Sequence, residues 1–237
     1  MRPAPCREWA GVTRADELAA NLAVVEERIV AACAAAARQR SEVTLVAVSK
    51  TWPARDVALL SDLGVRDFGE NRDGEAAAKA AEVRDVRWHF VGSVQTNKAR
   101  SVTSYADVIH SVDRPSLVDA LSAGAVRAQR VVDVLVQVDL DDSPRRGGVV
   151  PAGAPALAEL VAGAAGLHLA GVMAIAPLGA DPRPAFDRLM AVADQVRRAH
   201  PAATTVSAGM SGDLEVAVAA GANLLRVGTA LFGSRPS

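Results

Sequence analysis

Short valine-rich apolar runs alternate with helical segments along almost the whole chain, and this alternation leaves few folds open. The first run is Val43-Thr44-Leu45-Val46-Ala47-Val48-Ser49, apolar nearly throughout. Such a run suits a strand buried on both faces of a parallel sheet. Further strands are expected at 65–71, 87–91, 107–112, 131–140, 168–175, 204–208 and 223–227. Between them the spacing predicts helices at 54–63, 72–84, 95–102, 115–123, 153–165, 185–199 and 212–220. Gly64 is placed to stop the first of these, and Asp113 to cap the helix at 115–123. An additional helix over 14–40 opens the chain, with Leu18, Leu22, Val25, Ile29 and Ala32 on one stripe.

Strands alternating with helices form right-handed βαβ units, and eight of them close into a barrel. The expected fold is therefore α/β, a single (β/α)8 TIM barrel with an extra N-terminal helix. No linker or composition shift interrupts it, so residues 1–237 are expected to form one domain. An open doubly wound sheet is the alternative. Only 3% of the residues are aromatic, which leaves Val, Leu, Ile and Ala to build the core.

A net charge of -1 gives no reason to expect nucleic acid or an anionic membrane as partner. The two cysteines, Cys6 and Cys33, share no redox or metal spacing, and the four histidines show none either, so no metal site is expected. The N-terminus lacks the apolar stretch of a signal peptide, and no run is long enough to span a membrane. A cytoplasmic protein is expected.

Barrel sites lie at the C-terminal ends of the strands. There the sequence places Lys50 after strand one, Asn71 after strand two, and His89 with Gly92 on strand three. Strand six adds Met173, strand seven Ser207 to Ser211, and strand eight Arg226 to Thr229. Lys50 shares the face of Val46 and Val48 by the two-residue period. It is either a solvated strand end or an amine held in a pocket, ready to attack a carbonyl and form an imine.

The loops Ser207-Ala208-Gly209-Met210-Ser211-Gly212-Asp213 and Arg226-Val227-Gly228-Thr229-Ala230 follow the last two strands. Barrels often bind phosphate there, on unpaired backbone N–H groups and the start of a short extra helix. Arg226 is either a rim arginine paired with a carboxylate or a fixed cation beside the ligand. His89 is either a hydrogen-bonded core histidine or part of the site. An imine-forming lysine facing a phosphate site fits pyridoxal 5′-phosphate, an aldehyde at one end and a phosphate at the other.

Six segments carry a resemblance that runs in order from about residue 14 to 235. They are Ala47-Val48-Ser49-Lys50, Phe68-Gly69-Glu70-Asn71, Trp88-His89-Phe90-Val91-Gly92, Gln95-Thr96-Asn97-Lys98, Gly209-Met210-Ser211 and Arg226-Val227-Gly228-Thr229-Ala230-Leu231-Phe232-Gly233. The chain resembles the pyridoxal phosphate homeostasis protein family, barrels similar to the N-terminal domain of alanine racemases. The resemblance implies that Lys50 carries the cofactor as an imine, that Ser211, Gly228 and Thr229 hold its phosphate, and that Arg226 lies near its ring nitrogen. It implies too that Asn71, His89, Ser207 and Met210 line the pocket. One departure is Arg145-Arg146-Gly147-Gly148, where many relatives have a lysine in a Ser-Lys-Ser-Gly-like loop. Arginine forms no imine, so a second cofactor site in that loop is in doubt.

Two classes of function follow. The first is a non-catalytic protein that stores pyridoxal 5′-phosphate or delivers it to apo-enzymes, expected to be a monomer. The second is an enzyme using the same cofactor, such as an amino-acid racemase. Two-base racemisation needs an acid/base on each face of the substrate. The resembled racemases take the second base, a tyrosine, from an extra C-terminal domain. This chain runs to Ser237 and its one tyrosine, Tyr105, precedes strand four, so the resemblance implies that no racemase second base is expected here.

Overall fold

Every apolar run of the alternation becomes a strand. The computed structural model describes residues 12–141 and 147–234. Strands β1 (Thr44–Val48), β2 (Asp67–Glu70), β3 (Arg87–Phe90), β4 (Val108–Val112), β5 (Val132–Gln137), β6 (Leu167–Met173), β7 (Thr205–Ser207) and β8 (Leu224–Val227) are parallel and close in sequence order into one barrel. The β1–β8 ladder completes the ring, pairing Val46 with Arg226 and Ala47 with Val227. Helices α1 (Arg14–Ala35), α2 (Ala54–Asp62), α3 (Asp73–Glu82), α4 (Ala99–Tyr105), α5 (Pro115–Arg127), α6 (Ala154–Ala162), α7 (Arg183–Ala199), α8 (Leu214–Ala220) and α9 (Thr229–Phe232) cover it. The expected barrel and its extra opening helix are borne out.

Alternation within each strand divides the apolar side chains between two places. Outward residues such as Ala47, Phe68, Ile109, Val134, Val206 and Leu225 are buried against the helices in one continuous core. Each large one contributes about 1.5–3 kcal/mol by leaving water. Inward, Val108, Leu135, Ala170 and Met173 form a separate small cluster. The barrel also buries His89, His110, Ser207 and Arg226, so its interior is partly polar. Gly171 permits this closure: at φ 153° it lies so near β7 that a Cβ would sit 1.9 Å from the Thr205 carbonyl oxygen.

Three expectations are corrected. The opening helix ends at Ala35, not 40, because Ala37 adopts φ 54° and the chain turns toward β1. Arg38 anchors the turn by donating to the carbonyls of Val218 and Ala222, while Arg40 pairs with Glu26. Asp113 does not cap α5; its carboxylate pairs with Arg114, and Pro115 starts the helix without a side-chain cap. Strand β5 ends at Gln137; beyond it the Val138 N–H still donates to the Met173 carbonyl at 2.8 Å, and Val138 forms an isolated bridge to Val149. Cys6, Arg145 and Arg146 lie outside the described residues.

Helix α1 braces the barrel mouth on the β8 side. A capping box between Thr13 and Asp16 starts it. From its inner face Asn21 donates to the Leu231 carbonyl at 2.9 Å and Arg28 to the Ser211 carbonyl at 3.0 Å. Arg14 donates to the Phe232 carbonyl and pairs with Asp56 of α2 at 2.8 Å.

Candidate functional site

A cavity of about 340 Å³ opens at the C-terminal ends of the strands. Lys50, Asn71, Met210, Ser211, Arg226, Gly228 and Thr229 all line it, so seven of the nine expected site residues meet there. His89 and Ser207 do not line it; both are buried beneath, in the barrel interior. A larger hollow of about 530 Å³ lies between α5 and α6, but its lining carries a single ionisable side chain, Asp119. Convergent chemistry, not size, singles out the barrel mouth.

The backbone around Lys50 is clamped on both sides. Ser49 continues the β1 ladder by donating its N–H to the Gly69 carbonyl at 2.9 Å. Its hydroxyl donates to Glu70 Oε1 at 2.6 Å, and its carbonyl accepts from Lys79 Nζ at 2.8 Å. On the other side the Thr51 N–H donates to Glu75 Oε1 at 2.6 Å, with Thr51 held at φ 71°. A non-glycine residue there costs on the order of 1 kcal/mol or more, and persists because its surroundings fix it. Lys79 joins both carboxylates, at 2.6 Å from Glu70 and 2.7 Å from Glu75. Burial pushes the Glu70 carboxyl up, with the bonds from Lys79 and Ser49 acting the other way. Lys50 itself, half-buried, has no ion pair or hydrogen bond from its amine among the described residues. Lys79 is buried in this cluster, so it is no alternative carrier of an aldehyde.

Beside Lys50, on the β8 side of the mouth, the β7 and β8 loops are tied together. Ser211 Oγ accepts from the Ala230 N–H at 3.3 Å, and the Met210 N–H donates to Asp213 Oδ1 at 2.6 Å. The backbone N–H groups of Gly212 and Thr229 have no partner among the described residues. Gly228 packs under the loop, where a Cβ would lie 3.3 Å from the Val48 carbonyl oxygen. On the β2–β3 side, Gly92 lets the Asn71 backbone approach, since a Cβ there would meet the Asn71 carbonyl oxygen at 2.4 Å. Asn71 Oδ1 is buried without a hydrogen-bond partner. A buried polar atom left unpaired costs about 1–3 kcal/mol, and a polar ligand would remove that cost.

Arg226 is a fixed cation rather than a rim arginine. Its Nη2 donates to the Ala174 carbonyl at 2.9 Å and its Nη1 to the Ser207 hydroxyl. Burial pushes its pKa down to about 10, with Asp213 acting in the opposite direction, so it stays charged at neutral pH. Two residues that sequence reasoning passed over sit behind it, His110 and Asp67, each hydrogen-bonded to His89. His110 shares the inward face of β4 with Val108, the one signal available. Among the described residues no group of three or more His, Cys, Asp or Glu side chains is placed to hold a metal ion. No helix of those residues is long and apolar enough to cross a membrane.

A closed parallel barrel with a free lysine after β1, anion-ready loops after β7 and β8, and an arginine on β8 defines a class. The family model for the alanine racemase N-terminal domain matches residues 15–236, and the chain belongs to that family of barrels. Within it, the chain is a member of the pyridoxal phosphate homeostasis proteins. The one from Mycobacterium tuberculosis is 43% identical, the alignment covering 94% of each chain. The solved structure of PipY from Synechococcus elongatus, with PLP bound, is 35% identical with a TM-score of 0.80, covering 91% of this chain and 100% of that one. A Bifidobacterium adolescentis protein of solved structure has a TM-score of 0.88 at 31% identity, covering 92% of this chain and 96% of its own.

Proposed function

We propose that this protein binds pyridoxal 5′-phosphate at the barrel mouth, carries it as an imine on Lys50, and serves intracellular cofactor balance without turnover of its own. The observation that carries this reading is the unpaired Lys50 amine, clamped through Ser49 and Thr51. It shares one cavity with Arg226 and with the unpartnered Gly212 and Thr229 N–H groups. The residues present fit the cofactor: donors for a phosphate, a fixed cation, an orphaned Asn71 oxygen, and an amine. When bound, the cofactor supplies an aldehyde and an electron-withdrawing ring. Attack of the Lys50 amine on that aldehyde forms the C=N bond and releases one water. Ser211, Gly228 and Thr229 hold the phosphate, Met210 and Asn71 flank the ring, and Arg226 faces the ring nitrogen. PLP bound in the related PipY structure supports the ligand assignment.

The lining also supports the absence of turnover. Its only ionisable side chains among the described residues are Lys50 and Arg226. Tyr105 is not among them; its hydroxyl faces Asp73 at 3.4 Å. A cation beside the ring nitrogen disfavours its protonation and weakens the ring as an electron sink. Among the described residues no second base then stands opposite Lys50. Amino acids incubated with the loaded protein in deuterated water are therefore expected to exchange their α-hydrogen no faster than with free cofactor. Rapid exchange that disappears in Lys50→Ala would make this an enzyme. As part of the same proposal, the chain acts as a cytoplasmic monomer that passes the cofactor to apo-enzymes.

A further inference from the structure

A hydrogen-bonded chain crosses the barrel interior from the cavity to its opposite end. Arg226 donates to Ser207 Oγ, which lies 3.0 Å from His110 Nδ1. His110 Nε2 lies 2.8 Å from His89 Nδ1, and His89 Nε2 lies 2.9 Å from Asp67 Oδ1. Ser207, His110 and His89 are buried, and so is Arg226 at the cavity end. Asp67, at the foot of β2, is partly exposed and lines a hollow of about 440 Å³ at the N-terminal end of the barrel.

The two ends fix every proton between them. A guanidinium only donates and a carboxylate only accepts. Ser207 therefore accepts from Arg226 and donates to His110 Nδ1, His110 donates from Nε2 to His89 Nδ1, and His89 donates from Nε2 to Asp67. The reverse order would leave the Ser207 hydroxyl hydrogen without an acceptor and set a lone pair of His89 against the carboxylate. Burial also holds both imidazoles neutral. The chain has one direction, and each inner group is satisfied only while its neighbours keep theirs.

We propose that His110, His89 and Asp67 are positioning residues for the cavity. They hold the Ser207 hydroxyl as a fixed acceptor, so that Arg226 keeps one orientation and turns its remaining N–H groups to the ring edge of the ligand. The inference rests on the cofactor reading above. It explains why a barrel with an apolar cluster at Val108, Leu135, Ala170 and Met173 also buries two adjacent histidines.

The test compares two ligands, pyridoxal 5′-phosphate and its analogue with C–H in place of the ring nitrogen. One charge-assisted hydrogen bond should give the wild type about a 10- to 100-fold preference for the natural ring. Arg226→Leu should abolish that preference and sets the baseline. His110→Phe and Asp67→Leu should each reduce it at least about five-fold, while Asp67→Asn, whose Oδ1 still accepts, should keep it within about two-fold. Asp67→Leu, at the partly exposed end, covers the case in which His110→Phe does not fold. Nitrogen-15 shifts of the ligand-free protein should show the Nε2–H form for both histidines. Parallel loss of affinity for both ligands in His110→Phe and Asp67→Leu would mean a merely structural role and overturn the proposal. So would an Nδ1–H form of either histidine, or a wild type without ring preference. A wild type binding neither ligand would overturn the cofactor reading, and this inference with it.

Discussion

Pyridoxal, which lacks the phosphate, is expected to bind about a thousand-fold more weakly than pyridoxal 5′-phosphate. The Gly212 and Thr229 N–H groups have no partner among the described residues, and Ser211 and Thr229 bring hydroxyls to the same cavity. A hydrogen bond to a charged group contributes about 1.5–3 kcal/mol. Two such bonds lost together come to about 4 kcal/mol, or three decades in affinity. Helix α1 holds the loops in place through Arg28 and Asn21, so little ordering cost offsets the gain. Competition titration measures the ratio. Equal affinity for the two vitamers would remove the phosphate site from the account.

Lys79→Met is expected to destabilise the fold by about 3–5 kcal/mol, the range for removing one partner of a buried ion pair. Lys79 and Glu70 are both nearly inaccessible, and Glu70 Oε2 already lacks a hydrogen-bond partner. Without the ammonium, the Glu70 carboxylate is left charged in the interior. Its folded pKa, already raised by burial, should rise further above the unfolded value of about 4.3. The folded state then binds the proton more tightly than the unfolded state. The variant's deficit should therefore be smallest near the ordinary carboxylate range and grow as pH rises through the folded pKa. Urea unfolding at several pH values follows this, and Glu70→Gln added to Lys79→Met should recover part of the loss. A deficit below about 1 kcal/mol at pH 7 would show that the cluster does not clamp the Lys50 turn.

The barrel was legible because a strand buried on both faces writes itself as a continuous apolar run, and β1, with four of its five residues buried, shows this most clearly. Lys50 and the two loops were legible for a related reason: each marks the point where such a run gives way to polar or glycine residues. What stayed hidden depends on register between distant strands. His89 and His110 are 21 residues apart and form no motif, yet they touch because β3 and β4 are neighbours. Glu75 and Lys79 look in sequence like an ordinary surface pair one helical turn apart; only the packing of α3 over Ser49 and Glu70 shows that Lys79 is buried. The end of α1 was misjudged because an alanine-rich stretch carries no stop signal. Contacts from Arg38 to α8, remote in sequence, end it instead.

The most direct test of the central claim is borohydride reduction of the cofactor-loaded protein followed by peptide mapping. The loaded protein should show the absorption band of a lysine imine that reduction removes, with the label on Lys50 alone. In Lys50→Ala the covalent adduct should be absent while the fold and its unfolding midpoint stay close to wild type, since among the described residues the Lys50 amine has no hydrogen bond or ion pair to lose. A reducible adduct that persists in Lys50→Ala, or a label that maps to Lys98, the exposed lysine paired with Asp73, would contradict it.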